Sequence, residues 1–133
     1  MIESAEEFVR LRDSEEKAEY DRARLEEAPV PVWSNVIFRY LDYRKWVAHN
    51  KTVPFEILEE LCNHEVEVKI FIAMRRRLPN DLFVRLAADP NAVVRQQVAA
   101  NKKVPLGLLK SLSLDPDEDV ARVARFNLNG RSK

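Results

Sequence analysis

Glycine is nearly missing from this 133-residue chain, which has only two. With so few, left-handed turns, tight hairpins and phosphate-cradling loops have little to be built from, and a β-rich fold is disfavoured. Cysteine occurs once, at Cys62. An internal disulfide is therefore excluded, in keeping with a reducing compartment. No apolar run approaches the roughly 18–20 residues that span a bilayer. The opening Met-Ile-Glu-Ser-Ala-Glu-Glu lacks the basic region and apolar stretch of a secretory signal, so a cytoplasmic location is expected. An excess of one charge is lacking as well, since 22 basic residues meet 22 acidic ones.

What remains is 46% apolar and 33% charged, the balance of a charge-rich helical protein rather than a disordered one. The length suits one domain. The zero net charge conceals an asymmetry: residues 1–28 carry ten acids and five bases, and the rest carry twelve acids and seventeen bases. The leading segment is thus at −5 and the remainder at +5. The acidic segment reads either as a solvated helical cap or as a shield for basic surface further on.

Three copies of one motif run through the chain: Val47-Ala48-His49-Asn50-Lys51-Thr52-Val53-Pro54, Ile72-Ala73-Met74-Arg75-Arg76-Arg77-Leu78-Pro79 and Val98-Ala99-Ala100-Asn101-Lys102-Lys103-Val104-Pro105. Successive alanines Ala48, Ala73, Ala99 and Ala124 lie 25, 26 and 25 residues apart. A period of this size marks stacked supersecondary units, each too small to bury its apolar face alone, so an α-solenoid of about four to five helical repeats is expected.

Proline opens one helix of each unit, where its missing N–H has no intrahelical partner to lose. Positions +3, +4 and +7 from each proline are then apolar: Ile57, Leu58 and Leu61, then Leu82, Phe83 and Leu86, then Leu108, Leu109 and Leu112. This is the spacing of a single helical stripe. Asp89-Pro90 and Asp115-Pro116 stop that helix, with the aspartates as caps of the next turn, and a longer helix then starts near Val68, Val93 and Val120. The first unit has His64-Glu65 in place of Asp-Pro. Stepping back from Pro54 by 25 residues reaches Pro29, with Val32, Trp33 and Val36 in the stripe, and Ala23 precedes Ala48 by the same 25. A degenerate leading unit, with a helix over about 14–27, is therefore predicted. Ser4-Ala5-Glu6-Glu7 fits a capping box for an opening helix over about 5–12. The expected organisation is an acidic N-terminal helical cap over 1–28, a repeat region over 29–129 and a frayed tail over 130–133.

The pattern Val-Ala-x-Asn-x-x-x-Pro, a leucine-bearing segment, Asp-Pro and then Val-Arg-x-x-Val-Ala resembles the leucine-rich repeat variant family, a relative of HEAT and armadillo repeats. The resemblance covers about 43–129 well and 14–42 weakly. It implies alternating α- and 3₁₀-type helices in a right-handed superhelix without a sheet. The iron–sulfur centre of that family's founding type needs a cysteine cluster, and with Cys62 alone none is expected here.

Chemistry has few residues to act through. Cys62-Asn63-His64 invites a metal or thiol reading, but Cys62 shares its column with Ala87 and Ser113, where a small residue packs. A structural zinc takes four protein ligands and a catalytic one three, at spacings this chain lacks. His64 near a helix end reads as a cap or dipole partner, and His49 as a surface residue. Glu59-Glu60 and Asp117-Glu118-Asp119 read as helix-surface and helix-start acids. No dinucleotide, Walker A, nucleophile-elbow or zinc-protease motif is present. A non-enzymatic protein without metal or cofactor is expected.

Stacking turns sequence columns into surface stripes. Arg44, Lys69 and Arg95 form one column, and Lys51, Arg76 and Lys102 another, with Arg77 and Lys103 beside it and Arg75 close by. Such a basic ridge can steer an acidic partner. It suits a protein-interaction scaffold gripping an acidic segment, with Tyr43 or Trp46 as aromatic anchors, although Trp46 beside Val47 also reads as core. The alternative is tracking a nucleic-acid phosphate backbone, which a sequence pI near 6.8 disfavours. The simplest reading of the same cations is that they solvate exposed links.

Overall fold

The computed structural model describes residues 1–131. Ten α-helices and one short 3₁₀ turn account for the regular structure among them, with no strand. They are α1 (Ala5–Asp13), α2 (Lys17–Leu25), α3 (Val30–Arg39), α4 (Arg44–His49), α5 (Phe55–Leu61), α6 (Val66–Ala73), α7 (Asn80–Ala87), α8 (Ala92–Ala100), α9 (Leu106–Leu112) and α10 (Glu118–Arg131). The 3₁₀ turn is Leu41–Tyr43. The chain divides into two compact units, Met1–Val68 and Lys69–Lys133.

In the first unit α1 packs on α2 and α3, α2 on α4, α3 on α4 and α5, and α4 on α5. Its core holds Ile2, Phe8, Leu11, Ala23, Trp33, Val36, Ile37, Val47, Ala48 and Leu61. Phe8 meets Trp33 edge to face with centroids 5.2 Å apart, so the acidic leading segment is tied into this core by its apolar side. The capping box is real but reaches one residue further than expected. Ser4 Oγ accepts from the Glu7 N–H at 3.0 Å, and Glu7 Oε1 accepts from the Glu3 N–H at 2.9 Å. The helix expected over 14–27 is shorter, because Ser14 carries the cap of α1 and the Glu26 N–H closes α2 on the Arg22 carbonyl.

In the second unit α7 packs on α8 and α9, α8 on α9 and α10, and α9 on α10. Leu82, Phe83 and Leu86 of α7 are buried, as are Leu109 and Leu112 of α9. Leu108 is half-buried. The register read from the sequence holds in both units: Ala23, Ala48, Ala73, Ala99 and Ala124 are all buried, as are the stripes after Pro29 and Pro54. The prolines N-cap α3, α5, α7 and α9.

Three expectations need correcting. The alternation of α- and 3₁₀-type helices that the resemblance implies is not seen among the described residues, where the helix after each proline and the one that follows it are both α-helical. The caps are set by the residues after the prolines: Asn91 Oδ1 accepts from Val93 and Val94, and Asp117 Oδ1 from Asp119 and Val120, while Asp89 and Asp115 hold the turn beneath. Lastly, the tail expected to fray over 130–133 is helical at Gly130 and Arg131, because Arg131 donates to the Val104 carbonyl at 2.7 Å and to the Lys102 carbonyl at 2.6 Å. Ser132 and Lys133 lie outside the described residues.

Candidate functional site

The basic columns read from the sequence part into two kinds. Arg44, Lys69 and Arg95 are spent on ion pairs within the fold. Arg44 reaches Glu65 at 2.7 Å and Lys69 reaches Asp89 at 2.7 Å. Arg95 grips Asp115 with two donors, Nε at 2.9 Å and a terminal nitrogen at 3.2 Å. These cations are mostly covered, and the Arg95 guanidinium holds the Asp115 carboxyl below its usual range against the opposing effect of burial. Arg44 and Arg95 also donate to backbone carbonyls, of Ile37 and of Asp89 and Pro90. The first unit's departure from Asp-Pro follows from this pairing: with His64 in the aspartate column, the longer Glu65 one place on supplies the carboxylate to Arg44.

The link cations behave differently. Lys51, Arg76, Arg77, Lys102 and Lys103 are exposed, and none has a carboxylate partner among the described residues. In the second unit Arg76, Lys102 and Lys103 line one open groove of about 470 Å³ with Met74, Gln97, Ala100 and Asn101, a lining without any acid. Arg75 stands apart from its neighbours. It is half-buried, takes the column that Asn50 and Asn101 fill, and burial pushes its guanidinium below the usual arginine range.

That asparagine column is what sequence reasoning passed over. Asn101 Nδ2 donates to the carbonyls of Ala73 and Arg75, both at 2.8 Å, while its Oδ1 accepts from the Lys103 N–H at 2.8 Å. Asn50 does the same in the first unit, donating to Ala23 at 2.8 Å and Glu26 at 3.0 Å and accepting from Thr52 at 2.8 Å. Asn127 donates to Ala99 and Asn101 at 2.9 and 3.0 Å. One side chain thus shapes its own link and satisfies the helix-end carbonyls one repeat earlier, which would otherwise be orphaned. The link that presents Lys102 and Lys103 is fixed from two directions, by Asn101 within it and by Arg131 against its carbonyls.

The aromatic candidates lie in the first unit. The Tyr43 hydroxyl donates to Asp13 at 2.6 Å and is half-buried, so it works as a brace between the 3₁₀ turn and α1. Trp46 is also half-buried, with the Arg12 guanidinium 3.6 Å above its ring centroid and the His49 ring edge-on at 6.0 Å. Arg12, Tyr20, Ala23, Arg24, Trp46 and His49 line a cavity of about 370 Å³.

Cys62 is buried, as its column required. His64 does not cap a helix; its Nε2 lies 3.4 Å from Glu60 and its ring meets Phe38 edge-on at 5.9 Å. Among the described residues no three His, Cys, Asp or Glu side chains are grouped to hold a metal, and no helix is long and apolar enough to cross a membrane. Comparison of the chain with known families, characterised proteins and solved structures finds no match.

Proposed function

We infer that this protein is a non-enzymatic, cytoplasmic helical-repeat scaffold of the leucine-rich repeat variant kind, and that it binds an acidic segment of another protein. Support for a right-handed α-solenoid of about four to five repeats comes from the recurrence of one brick: a proline-capped helix, a second helix carrying a buried alanine and, except where Arg75 takes its column, an asparagine that reaches back about 27 residues. Within each unit, helices pack on sequence neighbours and next-but-one neighbours, as stacked helical hairpins do.

The observation that carries the binding reading is the groove of the second unit. Arg76, Lys102 and Lys103 line it, Arg77 is exposed next in the chain, and no acid shares the lining. Net neutrality makes this placement informative, because elsewhere in the same unit Lys69 and Arg95 have been given carboxylates. Exposed cations left without partners create a local positive potential that speeds and orients encounter with an anionic chain. Met74 and Ala100 add an apolar patch against which an extended peptide rests its side-chain stems.

The test is fluorescence-anisotropy binding of a short poly-glutamate peptide beside a generic DNA duplex of equal charge, across a salt series. Simultaneous Arg76→Ala, Arg77→Ala, Lys102→Ala and Lys103→Ala should weaken the peptide by about tenfold or more with unchanged helicity. Peptide binding that survives the change refutes the groove. Stronger binding to the duplex, with a steep loss in salt, replaces the acidic protein segment by a phosphate backbone.

A further inference from the structure

The cavity of the first unit has a chemistry that the basic groove lacks, and it stands whether or not that groove binds an acidic chain. Three helices build it: α1 supplies Arg12, α2 supplies Tyr20, Ala23 and Arg24, and α4 supplies Trp46 and His49. The cations around it are not equally available. Lys45 lies 5.4 Å from the Trp46 ring but is paired with Glu67 at 3.0 Å. Arg24 has Asp21 at 3.3 Å, and Asp21 is shared with Lys17 at 2.7 Å. Arg12 has no carboxylate partner among the described residues, and its neighbour Asp13 accepts from Tyr43 instead.

A guanidinium 3.6 Å above an indole ring is stabilised through its flat face. That contact leaves the in-plane N–H edge, which is the part that recognises a two-oxygen anion through parallel hydrogen bonds. Stacking also fixes the fork, so less side-chain freedom is lost when an anion binds. The rest of the lining is Arg24, which is tied to Asp21, and Trp46, Tyr20, Ala23 and the His49 ring, which are flat and mostly apolar. Inorganic phosphate would surrender hydration against such walls and gain little from them.

We propose that the Arg12–Trp46 cavity is a binding site for a carboxylate carried on a flat apolar body, the Arg12 edge holding the two oxygens and Trp46 and Tyr20 flanking the body. Two sources share this chemistry, a free aromatic acid and a protein C-terminus ending in an aromatic residue.

The experiment uses the full chain with ¹⁵N-labelled indoles, where the buried Trp33 reports folding and Trp46 reports the site. Benzoate should shift the Trp46 indole resonance saturably by about 10 mM, in the range expected of so small a ligand, and leave Trp33 still. Benzamide, equal in shape but uncharged, should bind about tenfold more weakly or worse, and so should acetate and inorganic phosphate. Arg12→Gln should abolish the preference for benzoate over benzamide, whereas the fourfold alanine variant of the groove should leave it intact. A peptide ending in phenylalanine with a free carboxylate, set against its amide, decides between the two sources. Equal binding of benzoate and benzamide by the unaltered chain overturns the proposal without any variant having to fold. So does tighter binding of phosphate than of benzoate, or a benzoate preference that persists in Arg12→Gln.

Discussion

Asparagine recurs at the helix ends of this structure because the ends of short helices create a problem that packing cannot solve. A helix of six to nine residues leaves about half its carbonyls without an intrahelical donor, as at Ala73, the last residue of α6, and the Arg75 carbonyl in the link just beyond it needs a donor as well. Asn101 supplies both donors from a buried position, with 9% of its surface exposed. Replacing it by alanine removes the donors and keeps the need for them. Asn101→Ala is therefore expected to cost about 2–3 kcal/mol, read as a fall in urea midpoint with unchanged slope. Asn101→Asp should cost more, since a carboxylate there faces two carbonyl oxygens with no proton to give. An alanine variant within about 0.5 kcal/mol of the parent would show that the carbonyls find other partners.

At the scale of the element, seven- and eight-residue helices are too short to be stable alone, and small changes in propensity register strongly. Gly107 lies inside α9, exposed, with no positive φ, and a Cβ built on it meets nothing within 4 Å. Gly107→Ala should then stabilise the protein by about 0.5–1 kcal/mol and raise Tm by a few degrees in a thermal melt, through lower entropy of the unfolded chain. Ala99 presents the opposite case, being wholly buried in α8 against α9 and α10. Ala99→Leu should lower stability by about 1–3 kcal/mol in the same melt, as an overpacked core does. Helix positions and inward faces were legible in the sequence because burial repeats with the helical period, and proline marks the starts of α3, α5, α7 and α9. The ion pairs were less legible. Lys69 and Asp89, and Arg95 and Asp115, are each 20 residues apart, and Arg44 and Glu65 are 21 apart. Columns compared only at the repeat period of 25 or 26 place like residues together and never set a cation beside its partner. A search for an acid at a constant offset of 20 or 21 residues after each cation exposes the pairs, and finds none for Arg76, Arg77, Lys102 or Lys103.

Over the whole molecule, equal numbers of acids and bases let the fold use carboxylates as internal ties, and this sets its response to acid. Glu26 is the clearest case. The Arg22 guanidinium donates to it and the N-terminal amine lies 3.1 Å away, so its carboxyl falls from the ordinary 4.5 to about 2 despite partial burial. Asp115 beside Arg95, Asp21 beside Lys17 and Glu19 beside Arg10 are lowered as well. A carboxyl whose pKa is lower folded than unfolded contributes stability that is complete above the unfolded value and disappears as pH falls through the folded one. Here that window runs from about pH 4.5 down to about 2 for Glu26. With 28% of that side chain exposed, solvent screening trims its share to about 1–2 kcal/mol. Thermal melts followed by circular dichroism should show a flat Tm above about pH 5 and a steady decline below 4.5, with no matching loss between pH 5 and 7. Glu26→Gln should lower Tm at pH 7 and flatten the acid limb, so that the two proteins converge near pH 2. A variant whose acid limb runs parallel to the parent's would mean that Glu26 interacts equally in the folded and unfolded chains, and that the other carboxylate ties govern the response.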